Sequence, residues 1–370
     1  MINKNRNLAL ALSGGGVRAM VFHAGALLYL SENGYLEKVS EISSVSGGSL
    51  LVGLIYQNNE CTWPTSGQYR ENLYGSIREL LCSKDLQFRT ILALLNPVNW
   101  RYFFSRANLV AKMLEKTWGI QGYLSDIGSH PVWSINGTTA ENGRRFRFKH
   151  DTFGDYLMGY SDASDFKLSQ AVAMSAAFPG GIGPLAIKTN AYTWKKRKSW
   201  NNPEGEEVVV LPPFKKIHIY DGGVYDNLGT ESLFDPGKGV PKKEHTTILV
   251  SDAGSPFSNT FSMNPLNPFR LKRILDICMD QSRALRVRSF MSYLQGDKKL
   301  GGYLMIGQNP NQILSKEELK GHCWQTHQEI KLASQYKTTL SKISTTDFDR
   351  ISRHGYEMAK SIDIIKKGLF

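Results

Sequence analysis

LALALSGGGVRAMVFHAGALLYLSENGYLEKVSEISSVSGGSLLVGLIY, residues 8–56, is the stretch that decides the fold. Leu8 to Leu12 is a short apolar run that ends at Ser13-Gly14-Gly15-Gly16, as a buried strand closed by a turn does. Val17 to Glu32 places Val17, Met20, Ala24, Leu27 and Leu28 near a 3.6-residue period, which predicts a helix, and Asn33-Gly34 stops it. Ile42 to Val45 reads as a second strand, Gly47-Gly48 turns the chain again, and Ser49 to Tyr56 return to a helical, apolar pattern. Strand–turn–helix, repeated, predicts a parallel sheet with covering helices. Both glycine turns lie at carboxyl ends of strands, about 30 residues apart, the span of one strand–helix–strand unit. They therefore face one crevice, where sheets of this kind bind their ligands.

Further along, Arg70 to Leu95 reads as helical. Trp133 to Asn136 and Arg145 to Lys149 read as paired strands across the turn Glu141-Asn142-Gly143. Leu168 to Ala177 is a helix stopped by Phe178-Pro179-Gly180-Gly181. Lys216 to Tyr220 is a strand leading into Asp221-Gly222-Gly223, and Thr247 to Ser251 one leading into Asp252-Ala253-Gly254. Ser255 to Pro268 reads as a loop, Phe269 to Leu294 as a basic helix, and Lys316 to Phe370 as mainly helical. No internal repeat is visible. The expectation is one domain over residues 1–370, with a core over 6–254 and a helical part, 269–370, packed on it.

Three constellations carry chemistry. Ser44-Val45-Ser46-Gly47-Gly48 sets a serine at a sharp strand-to-helix turn, which lifts its hydroxyl from the sheet edge as a nucleophile elbow does. Among Ser43, Ser44, Ser46 and Ser49, only Ser46 stands at the apex with glycine at the next two positions. The elbow pattern G-x-S-x-G keeps Gly48 and replaces the first glycine with Ser44. Gly14-Gly15-Gly16-Val17-Arg18 can present backbone N–H donors at a helix start, and Arg18 adds a positive charge at the same rim. Such donors hold the oxyanion of an acyl-transfer intermediate. Asp221-Gly222-Gly223 brings a carboxylate out of a sheet edge on a glycine turn, placed to take the Ser46 proton. Neither a G-x-x-x-x-G-K-[ST] loop nor a proper G-x-G-x-x-G loop is present, so a nucleotide site is the weaker reading of these glycines.

Together these residues resemble the patatin-like phospholipase family, whose oxyanion loop matches Gly14 to Arg18, whose elbow matches Ser44 to Gly48 and whose D-G-G/A motif matches Asp221 to Gly223. Met174-Ser175-Ala176-Ala177-Phe178-Pro179 resembles its A-S-x-A-x-P segment, with Met174 for the first alanine. The resemblance implies a three-layer α/β/α fold with a central, mostly parallel sheet. It also implies a Ser46–Asp221 dyad without histidine, hydrolysis of fatty-acyl esters of membrane lipids through an acyl-enzyme, and no metal or other cofactor. A Ser–His–Asp esterase is the rival mechanism, because His245, His322, His327 and His354 all follow Asp221. His23 reads as packed, and Asp252 as a rival base lacking the double glycine. A further alternative is a non-catalytic binder of anionic lipid or nucleic acid on the same fold.

The net charge of +12, from 45 Lys and Arg against 33 Asp and Glu, favours anionic surfaces. Trp194-Lys195-Lys196-Arg197-Lys198-Ser199-Trp200 mixes tryptophan and cations as a lipid headgroup contact does, whereas Trp100-Arg101-Tyr102-Phe103-Phe104 reads as core. The helix from Phe269 carries Arg270, Lys272, Arg273, Arg283, Arg286 and Arg288, without the interleaved aromatics that bind single-stranded nucleic acid, so nucleic acid is a minor option. Cys61, Cys82, Cys278 and Cys323 have no metal or disulfide spacing. With no signal peptide and no run of ~20 apolar residues, the expected place is the cytoplasm, with at most peripheral membrane contact.

Overall fold

The computed structural model describes residues 7–179, 181–198, 206–244, 246–257, 269–296 and 301–367. The chain begins β1 (Asn7–Leu12), α1 (Gly16–Glu32), β2 (Val39–Ser44) and α2 (Gly47–Gln57). A helical region follows: α3 (Ser66–Gln68) joins α4 (Tyr74–Ser83) through a π-type turn, then come α5 (Leu86–Leu94), a 3₁₀ segment Pro97–Tyr102, and α6 (Arg106–Thr117). Next are β3 (Val132–Thr139), β4 (Arg145–Phe148), β5 (Thr152–Asp155), β6 (Gly159–Asp162), α7 (Leu168–Ser175), β7 (Leu185–Lys188), β8 (Trp194–Arg197) and β9 (Glu207–Val210). β10 (Lys216–Asp221), α8 (Gly223–Asp226), and the two-residue strands β11 (Phe234–Asp235) and β12 (Val240–Pro241) precede β13 (Thr246–Asp252). The chain ends with α9 (Phe269–Gln295), β14 (Gly301–Met305), α10 (His327–Ser334) and α11 (Thr345–Lys366).

The middle of the sheet, β14-β13-β1-β2-β3, is parallel throughout. Antiparallel strands extend it from β3 through β4, β5, β6, β8 and β9, and β10 also pairs antiparallel with β3. The alternation of β1 explains the layers. Leu8, Leu10 and Leu12 point into one core with Phe22, Leu50 and Phe348, while Ala9 and Ala11 point into another with Val250, Phe290 and Leu294. A strand apolar on both faces needs helices on both, and this chain supplies α1, α2 and α11 on one side and α9 on the other. This is the α/β/α arrangement the sequence predicts. Among the described residues, no helix is long and apolar enough to cross a membrane.

Several expectations need correction. Residues 70–95 do not form one helix: Asp85 accepts from the amide of Phe88 and caps a new one, so the chain breaks between α4 and α5. The C-terminal part is helical over α9, α10 and α11 as expected, and it adds the strand β14, which was not expected. Trp100, Phe103 and Phe104 are exposed, not core, because only Asn99 of the 3₁₀ segment turns inward. Trp194 is the reverse: its indole is buried against Phe153 and donates to the carbonyl of Thr189 at 2.9 Å, so it cannot reach a membrane. Lys195 and Lys198 are exposed, Arg197 lies 3.7 Å from Glu207, Lys196 donates to the Leu157 carbonyl, and Trp200 lies outside the described residues. On α9, Arg283 and Arg286 pair with Asp252 and Glu231, while the side chains of Arg270 and Lys272 lie outside the described residues, as do residues 258–268 of the expected loop.

Helix α11 crosses α1 in near backbone contact. A Cβ on Gly25 would stand 1.8 Å from the Ser352 carbonyl oxygen, and one on Gly355 1.9 Å from that of Phe22. Gly25→Ala and Gly355→Ala are each expected to destabilise the protein by about 1–3 kcal/mol through overpacking, read as a lower urea midpoint at unchanged slope.

Candidate active site

Two tight turns meet above the parallel sheet. Ser46 caps α2 with φ 49° and ψ −115°, a conformation that a side-chain-bearing residue rarely adopts. Holding it costs roughly 1–3 kcal/mol. Neighbours impose it: the Ser46 amide donates to both the carbonyl and the hydroxyl of Ser175, at 3.1 and 3.0 Å. Gly47 and Gly48 are required by space, because a Cβ there would stand 2.3 Å from the Gly16 carbonyl oxygen and 2.4 Å from that of Leu12. The departure at Ser44 has a reason. Its hydroxyl accepts from the Trp133 indole at 2.8 Å and bonds Ser49, which bonds Ser175, which donates to the Asn136 carbonyl. A glycine at 44 would leave the indole N–H without this acceptor.

The Gly14–Gly16 loop approaches the same serine: a Cβ on Gly14 would stand 3.1 Å from Ser46 Cβ. Its amides are not equivalent. Gly14 donates to the Asn227 carbonyl and Val17 to the Thr339 carbonyl, so neither is free for an oxyanion. For the amides of Gly15, Gly16 and Gly47 no protein acceptor is found among the described residues. Of the expected stretch Gly14 to Arg18, the amides of Gly14 and Val17 are thus already bonded, while Gly47, on the opposite turn, has an open amide. Arg18 departs from expectation too. It lines the cavity of Ser46 but is buried, and its guanidinium is held by the carbonyls of Ala253 and Tyr336. Burial lowers its pKa to about 10, against the pull of Asp252. Its charge fastens the loop to the end of β13.

Asp221 arrives on β10, which runs antiparallel to β3 and still ends at the carboxyl edge of the parallel strands, opposite Gly137. The Ser46 hydroxyl lies near enough to its carboxylate to lower the Asp221 pKa as a donor does, and the Gly223 amide donates to Oδ1 at 2.7 Å. Asp221 is only 4% exposed, and burial pushes its pKa up to about 7 against the opposing pull of these two donors. Both residues line a cavity of about 770 Å³, whose walls include Ala176, Phe178, Ile182, Met279 and Leu340.

The rivals are occupied elsewhere. Asp252 binds Arg283 at 2.6 Å, the Tyr303 hydroxyl at 2.5 Å and the Gly254 amide at 3.0 Å. His23 is buried between the Ser251 hydroxyl and the Ser13 carbonyl, and burial lowers its pKa to about 4. His354 is buried and accepts from the Gly307 amide, His322 lies beside Lys360 and Glu357, and His245 lies outside the described residues. No described histidine lines the cavity. Sequence reasoning missed Asn227, whose Oδ1 sits where a Cβ on Gly14 or Gly223 would go, and the anchoring roles of Ser175 and Asn136. The sequence segment 174–179 marked Ser175, but nothing in it marked the bond.

The raised Asp221 pKa fixes a sign. The native state holds this proton between about pH 4 and pH 7, where the unfolded chain has lost it, so ionised Asp221 weighs against folding as pH rises through 7. Asp221→Asn is expected to be more stable than the parent at about pH 8, with the gap closing toward pH 4, measured by urea unfolding at each pH.

Against known proteins, the sequence model described as patatin-like phospholipase matches residues 10–234. No curated protein matches the chain. Among solved structures, human GIVD cytosolic phospholipase A2 superposes with a TM-score of 0.58 at 16% identity, over 98% of this chain and 60% of that one. The same human enzyme in complex with methyl gamma-linolenyl fluorophosphonate inhibitor and terbium chloride gives 0.57 at 16% identity, over 98% and 59%. The chain thus spans about 60% of the length of these structures, and at this identity the likeness is one of fold.

Proposed function

From the premise that this chain belongs to the patatin-like phospholipase family, we propose that it is a lipid acyl hydrolase that cleaves fatty-acyl esters through Ser46 and Asp221. The observation that carries the reading is the convergence of the Ser46 hydroxyl and the buried Asp221 carboxylate in one cavity, close enough for the hydroxyl to act on the carboxylate's pKa, beside amides that face no protein acceptor among the described residues. The Ser46 oxygen attacks the ester carbonyl carbon as its proton passes to Asp221. The carbonyl oxygen becomes an oxyanion, and the amides of Gly15, Gly16 and Gly47 receive it. Asp221 then protonates the departing alkoxide, leaving an acyl group on Ser46. Water attacks the acyl-enzyme, Asp221 takes the proton from water and returns it to Ser46, and the fatty acid leaves.

A single carboxylate serves as both base and acid in this cycle. A pKa near 7 suits that double duty, because neither transfer is then far uphill at neutral pH. The apolar part of the walls supports the substrate class. Apolar side chains of the cavity favour an acyl chain, and about 770 Å³ is ample for one.

Ser46→Ala and Asp221→Asn should each lower turnover of a long-chain ester by about 10³-fold or more. A fluorophosphonate probe should label the parent on the peptide containing Ser46 and leave Ser46→Ala unlabelled; unchanged turnover in Ser46→Ala would refute the assignment. Only ionised Asp221 accepts the proton, so kcat/KM should fall as pH drops through about 7 and level off above it. A midpoint near 4 would mean that burial does not control this carboxylate.

A further inference from the structure

The outer surface of α5 and the 3₁₀ segment after it is apolar and uncovered. Phe88, Ile91, Leu92 and Leu95 fall at positions i, i+3, i+4 and i+7, one face of a helix, and all four are exposed, Leu95 by 73%. The same surface continues through Trp100 at 63%, Phe103 at 61% and Phe104 at 86%. Isolated exposed leucines need no explanation, but a contiguous apolar face of this size marks an interaction surface.

Charge and position select the partner. From residue 86 to residue 114 the sequence holds no Asp or Glu, while Arg89 and Arg101 stand exposed beside the apolar face. Arg101 lies over the Tyr102 ring at 4.8 Å. Tryptophan, phenylalanine and arginine with no acid are the composition of a segment that sits at the level of anionic lipid headgroups. The surface is also joined to the cavity. Gln87, on the first turn of α5, lines it and accepts from the Thr339 hydroxyl at 2.7 Å, and the Thr339 carbonyl in turn accepts from Val17 in the glycine loop. The apolar face thus begins at the rim of the cavity.

We propose that the outer face of α5 and the 3₁₀ segment docks this protein on the surface of a phospholipid bilayer, with the cavity opening toward the membrane. The inference rests on the reading of a lipid as substrate, and it moves the membrane contact away from the strand Trp194–Arg197, where the tryptophan is buried. Docking there sets the wall of the cavity at Gln87 against the bilayer.

The test uses vesicles of phosphatidylcholine and phosphatidylglycerol and the combined substitution Leu95→Ser, Trp100→Ser and Phe104→Ser. Co-sedimentation of the variant should weaken by about tenfold or more, and hydrolysis of vesicle lipid should fall in parallel. Turnover of a monomeric, water-soluble ester should stay within about twofold, which shows that the fold and Ser46 are intact. Replacing Lys195, Lys196 and Lys198 with glutamine should change sedimentation far less. In the unaltered protein, amide exchange over residues 86–104 should slow when vesicles are added. Full vesicle binding by the triple-serine variant overturns the proposal, as does absence of exchange protection over 86–104. Protection that instead appears on concentrating the protein without lipid also overturns it, in favour of a second copy of the chain. Sedimentation and exchange need no turnover, so failure of docking and failure of ester hydrolysis are read separately.

Discussion

The burial of one carboxylate, Asp221, is the constraint on which the proposed chemistry depends. A carboxylate in water has a pKa near 4 and is a feeble base. Asp221 is removed from water by the sheet edge and by the two turns above it, and its pKa rises to about 7. The Ser46 hydroxyl and the Gly223 amide pull the other way, and they keep the charged form accessible at neutral pH. More donors at this point would return Asp221 to the ordinary range, and fewer would leave it neutral. The same balance makes the site costly to the fold, because among the described residues no cation pairs with ionised Asp221.

Strain at Ser46 and burial at Asp221 need a rigid surround, and it comes from distant parts of the chain. Ser175, at the end of α7, pins the Ser46 amide. Arg18 ties the glycine loop to Ala253 after β13 and to Tyr336 after α10. Thr339 accepts from Val17 and reaches Gln87 on α5. The C-terminal third, whose sequence matches the family's motifs least, thus supplies one wall of the site and is held to α1 through the Gly25 and Gly355 contacts. Clamping of this sort keeps a non-glycine residue at positive φ.

How much was legible in the sequence follows the range of the interactions. β1, α1, β2, α2, β10 and β13 were readable because apolar period and glycine turns are local signals, and they led to Ser46 and Asp221. The direction of β10 was not readable, since a six-residue strand carries no mark of whether its neighbour is parallel. The bonding of the glycine loop was not readable for the same reason: Gly14 and Val17 look like free amides until Asn227 and Thr339, more than 200 residues away, are seen to accept from them. The burial of Arg18 was not readable because nothing near it in sequence predicts the carbonyls of Ala253 and Tyr336.

The two aromatic and basic segments show where composition stops being informative. Trp194-Lys195-Lys196-Arg197 and Trp100-Arg101-Tyr102-Phe103-Phe104 have the same ingredients, and their burial is opposite. The first is a strand, so alternate residues face opposite sides, and Trp194 falls on the side packed against Phe153. The second follows a helix that rests on the body of the protein by its Leu86 side alone, so whatever points away from Leu86 meets solvent. What decides between them is which face the neighbouring element already covers. An apolar face left open next to a cavity lined by apolar side chains is better explained by a lipid surface than by a defect of packing, because a soluble protein gains nothing from keeping Phe104 and Leu95 in water.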